Sequence, residues 1–230
     1  MRLSISPIAM TAHSSRIAAL AEITAMLALV LSYIWGWQRT FPGDEVLVVV
    51  LYFAVCFVSH VRCRESARVL GLRLDNWRSA ARQACVPVAV AVGAALGTGA
   101  MLRSWHFEPA DLPLDLPWHV AWGTAQQYGL LCLLYRRLLD VIATPRSAAL
   151  GAGSAFALFH LPNPLLVGVT FVAGSVSCAL YRRVPNVFVL GIAHAAISMV
   201  LFSALPVSMT HALHVGPGYY AALKELPHAP

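Results

Sequence analysis

Long apolar runs separated by short polar ones govern the reading of this chain. Stretches of roughly twenty residues, nearly free of charge, recur along its length, as in helices that cross a hydrocarbon layer about 30 Å thick. They predict an all-α, polytopic membrane bundle with about seven spans, at 16–37, 45–61, 84–102, 118–135, 147–161, 163–181 and 186–205. The fifth is short and is ended by Pro162. The longest polar stretch, 62–82, carries six arginines with Val69, Leu70, Leu72, Leu74 and Trp77 between them. That mixture suits a segment lying on an anionic membrane face. Residues 1–15 read as a flexible N-terminus, 16–205 as a single transmembrane domain and 206–230 as an irregular C-terminal tail.

Composition agrees with the pattern. Of the 230 residues, 59% are hydrophobic and 11% charged, against about 25% charged in a soluble domain. The net charge of +6 does not form one basic stripe, so a nucleic-acid partner is not expected. With the N-terminus inside, segments 1–16, 62–82, 136–147 and 182–185 hold thirteen of the sixteen Lys and Arg. Only Arg39, Arg103 and Lys224 fall on the other side. Positive residues collect on the cytoplasmic face, so the N-terminus is expected in the cytoplasm and the chain in the cytoplasmic (inner) membrane. The first run is followed by bulky residues rather than a small-residue cleavage site, so it is expected to stay as an anchor. Five scattered cysteines, Cys56, Cys63, Cys85, Cys132 and Cys178, have no ligand-like spacing and read as free thiols.

The candidate chemistry lies where polar groups interrupt the apolar runs. Gln126 and Gln127 stand side by side in the middle of the fourth span. A primary amide in hydrocarbon is costly without a hydrogen-bonding neighbour. His160 in the fifth span and His194 in the seventh, the latter one turn before Ser198, are the expected neighbours. Glycine and alanine flank each of them, which lets helix backbones approach closely. One polar site is therefore predicted from Gln126, Gln127, His160, His194 and Ser198. Glu22, inside the first span, reads either as an acid reaching back to the headgroups or as one facing this site. Two imidazoles and two amides make a poor metal site, so no metal or other cofactor is expected.

The same residues resemble the motifs of the CAAX prenyl protease and bacteriocin-processing family of intramembrane proteins. That family carries EExxxR, then FxxxH, then HxxxN or a variant. Here Phe156 and His160 complete the second motif, and His194 with Ser198 forms the third with Ser in place of Asn. Gln126 and Gln127 replace the paired glutamates, and Leu131 stands where the arginine would be. The resemblance implies an endopeptidase acting on a membrane-embedded or lipidated protein. It makes His160 the base that contacts water and makes His194 with Ser198 the oxyanion donors. Phe156, Asn163 and Glu22 are then candidates for substrate contact. The glutamate role does not carry over, since an amide has no basic lone pair near neutral pH. Two alternatives stay open: a catalytically inactive relative that binds or escorts a membrane substrate, and a rhomboid-like hydrolase using Ser154 with His194.

Overall fold

Helix starts follow from local side-chain chemistry. The structure, a computed structural model, describes residues 15–106 and 112–225 and is helical throughout, with no strand among the described residues. Helix α1 (Arg16–Ser32) begins behind Ser15, whose hydroxyl accepts from the Ala18 amide, and runs into a π-helical turn, Tyr33–Trp37. Helices α2 (Asp44–Arg62) and α3 (Trp77–Leu102) follow. Helix α4 (Leu112–Tyr128) passes through a π-helical segment, Gly129–Tyr135, into α5 (Arg136–Val141). Helices α6 (Pro145–Leu158), α7 (Pro164–Arg183) and α8 (Val187–Ala204) start behind Thr144, Asn163 and Asn186, each accepting from an amide three residues on. In α6 and α7 proline takes the first helical position, where no N–H is needed.

Packing depends on small residues. Helix α6 lies along α7, and α8 is flanked by α4 and α3, while α1 packs on α2 and α5. A Cβ on Gly153 would stand 2.7 Å from the Phe171 carbonyl oxygen, and one on Gly191 would stand 2.7 Å from the Thr124 Cα. Only glycine permits these backbones to meet so closely. All seven residues of the π-helical segment are buried, which makes it the centre of the bundle.

Five helices are long and apolar enough to cross a membrane, namely Arg16–Trp37, Asp44–Arg62, Trp77–Leu102, Pro164–Arg183 and Val187–Ala204. The fourth expected span falls within the continuous α4–α5 rod. The fifth is α6, whose 14 residues reach only about 21 Å at 1.5 Å per residue.

Two expectations change. Residues 63–76 form turns that dock on the start of α8, with Asn186 donating to the Arg73 carbonyl and to Asn76 Oδ1, and Val187 N donating to the Gly71 carbonyl. Helix α3 begins at Trp77 rather than residue 84. The stretch after residue 205 is not irregular either. It forms α9 (Val207–Thr210), a 3₁₀ turn (His211–Leu213) and α10 (Gly216–Glu225).

At the arginine-rich end of the bundle, an ion network joins α1, α2 and α5. Arg137 bonds Glu22 and Glu65, each at 2.7 Å; Arg136 bonds Glu65 at 2.6 Å, and Arg62 bonds Glu22 at 2.6 Å. The side chains of Arg137 and Glu65 are only 3% and 2% exposed. Burial by itself would raise the Glu65 carboxyl. Hydrogen bonds from His60 and Arg137 and the charge of Arg136 overcome this and bring it down to about 2.

Glu65→Gln leaves two buried arginines sharing less negative charge. It should cost about 3 kcal/mol, read as a lower unfolding midpoint of the protein in nanodiscs. Because the folded carboxyl titrates below its ordinary value, the wild-type contribution is complete above about pH 4.5. It is lost as pH falls toward 2, and the variant should lack this acid limb.

Candidate active site

Helices α4 and α8, with α6 and the turn after it, bring the predicted residues to one cavity of about 1210 Å³, above the roughly 300–1,000 Å³ usual for ligand sites. Gln126, Gln127, Phe156, His160, His194 and Ser198 all line it. The α4–α8 contact is what joins the amides to His194. Gly123 of α4 faces His194 so closely that an added Cβ would lie 3.3 Å from its Cδ2.

Hydrogen bonds give each imidazole a distinct orientation. His160 Nδ1 lies 2.8 Å from the Phe156 carbonyl oxygen. A carbonyl only accepts, so Nδ1 donates, and in the neutral ring the lone pair is on Nε2. His194 Nδ1 lies 3.3 Å from Gln127 Nε2. Gln127 is 2% exposed, and its Oε1 is buried without a partner. The Phe156 ring stands edge-on to both imidazoles, with centroids at 4.8 Å from His160 and 6.0 Å from His194. Phe156 thus sets the walls between them.

Three other predicted residues lie elsewhere. Glu22 is not on the cavity wall; its carboxylate accepts from Ser59, Arg62 and Arg137 in the ion network. Guanidinium groups at the end of the bundle outcompete a distant amide site for a carboxylate. Asn163 is fully buried as the cap of α7 and donates to the carbonyls of Thr210 and His214, so it ties the His160 loop to the C-terminal segment instead of facing the cavity. Ser154 is on the exposed face of α6, off the cavity that holds His194, so the serine–histidine pair does not meet.

One residue escaped the sequence reading. Tyr52 of α2 donates its hydroxyl to the Ala125 carbonyl at 2.6 Å, beside the glutamines and just before the π-helical segment. It lies against Gly129, where any Cβ would collide with the hydroxyl. A π-turn shifts the helical bonding register, and Tyr52 gives the Ala125 carbonyl a partner there. A tyrosine in an otherwise apolar span, needing a partner for its hydroxyl, was the available signal.

Comparison with known families supports the resemblance seen in the motifs. A family described as type II CAAX prenyl endopeptidase, Rce1-like, matches residues 120–200, the region from α4 through most of α8 that carries every polar residue on the cavity wall named above. No curated protein and no solved structure gives a significant match.

Tyr52→Phe removes the hydroxyl's hydrogen bond to the Ala125 carbonyl and should destabilise the protein by about 1 kcal/mol. Thermal unfolding followed by circular dichroism in detergent checks this.

Proposed function

We propose that this CAAX-prenyl-endopeptidase-like membrane protein is an atypical intramembrane endopeptidase, acting on a membrane-embedded or lipidated protein in the cytoplasmic membrane. The observation that carries the reading is the complementary pair of imidazoles on one cavity. The His160 ring is held through Nδ1 by the Phe156 carbonyl, and the His194 ring meets the Gln127 amide through Nδ1.

The chemistry runs as general-base hydrolysis. His160 Nε2 takes a proton from water as its oxygen attacks the scissile carbonyl. His194 Nε2–H and the Ser198 hydroxyl donate to the oxygen as negative charge develops. The His160 imidazolium then gives its proton to the leaving amine, and the acyl fragment departs as a carboxylic acid. The glutamines accept from and donate to water and the peptide without titrating. The cavity's mostly apolar walls fit an acyl-like or prenyl-like chain beside the peptide. A missing carboxylate lowers the rate by about 10²–10⁴-fold where it would have served as base, so slow turnover is expected.

A second reading has its own observation: among the described residues, no Asp or Glu lines the cavity wall. A protein with this fold that binds and escorts a membrane substrate needs the cavity but not the base.

The readings separate on two variants. If the protein is a peptidase, His160→Ala abolishes cleavage of a farnesylated reporter peptide. Ser198→Ala slows it by about 10²–10³-fold, and both remain folded. Membrane proteomics of a strain carrying His160→Ala should then reveal an uncut precursor. An escort would show no cleavage in the wild type, and His160→Ala would at most weaken co-purification with its partner.

A further inference from the structure

We propose that Gln127 is a positioning residue that selects the Nε2–H tautomer of His194, so the amide does work that a glutamate at this position could not do. The inference deepens the hydrolase reading in its catalytic sense, but the tautomer assignment stands on geometry alone. The Gln127 amide nitrogen, 3.3 Å from His194 Nδ1, has only protons to offer. Nδ1 must accept, and the ring proton of neutral His194 is therefore on Nε2.

Two further observations support this orientation of the amide. Gln127 is 2% exposed, and its Oε1 is buried with no protein partner. As it stands, the amide leaves Oε1 and one N–H without a protein partner; turned over, it would leave both N–H donors without one, which is the worse arrangement in a buried site.

The second observation is the state of His160. Its Nδ1 is committed as a donor to the Phe156 carbonyl, so its Nε2 is an acceptor. Were His194 also to present an Nε2 lone pair, neither imidazole could donate to a developing oxyanion. A carboxylate at position 127 would have this effect, because it accepts only and would draw the His194 proton to Nδ1. Gln127 thus keeps the two rings different.

The test is nitrogen-15 spectroscopy of the full-length protein in nanodiscs, with labelled histidine, at about pH 8, above the ordinary imidazole range. His194→Ala identifies the His194 signals. The wild type should show His194 protonated on Nε2, and Gln127→Glu should move the proton to Nδ1 or produce an imidazolium. Gln127→Met, which neither donates nor accepts appreciably, should give a mixture of tautomers. A wild-type His194 protonated on Nδ1 overturns the proposal, as does a Gln127→Glu or Gln127→Met spectrum identical to the wild type. The wild-type spectrum decides even if a variant fails to fold.

Cleavage of the farnesylated reporter supplies the separate arm. Gln127→Glu should lower turnover by about 10²–10³-fold, the loss of one oxyanion donor, rather than raise it. If the tautomers behave as stated while the wild type cuts nothing, the positioning role of Gln127 stands and the hydrolase reading falls.

Discussion

A polar group inside a bilayer has no water to turn to, so each must find its partner within the protein. That requirement arranges this bundle. The Tyr52 hydroxyl meets the Ala125 carbonyl, the Gln127 amide meets His194, and Asn163 and Asn186 cap helices while holding neighbouring segments. Each bond crosses between elements far apart in sequence. The apolar surfaces decide that helices cluster; the scarce polar groups decide which faces meet.

The protein keeps two polar centres apart and uses them differently. At one end of the bundle, carboxylates and guanidinium groups neutralise one another in a nearly closed network of Glu22, Glu65, Arg136 and Arg137. Such a network binds α1 and α2 to the central rod and leaves little chemistry free. On the cavity wall, by contrast, the polar groups are amides, imidazoles and hydroxyls. Neutral groups are cheaper to bury than ions. They can remain incompletely paired at a cost an ion could not bear, as the Gln127 Oε1 shows. Glu22 belongs to the first centre because arginine is the stronger partner for its charge.

Small residues connect the two kinds of order. Gly153 lets α6 touch α7, Gly123 and Gly191 let α4 touch α8, and these contacts carry His160 and His194 toward the glutamines. Gly129 admits Tyr52 beside the π-helical segment. Bulkier residues would keep the backbones apart and the side chains beyond hydrogen-bond reach.

Much of this was legible in the linear order of residues. Runs of apolar residues announced the membrane-spanning helices, because lipid demands that length and composition. Isolated amides and imidazoles within those runs announced a shared cavity, because hydrocarbon penalises each of them alone. Only the tertiary structure decided which group faces which. A carboxylate at Glu22 is compatible with either polar centre until the positions of Arg62 and Arg137 are known. The π-helical register, the Tyr52 bond, the docking of residues 63–76 on Asn186 and the helical form of the segment after 205 all rest on contacts between distant parts of the chain. So does the tautomer of His194: a ring's proton follows its neighbour in space, and that neighbour is 67 residues away in the sequence.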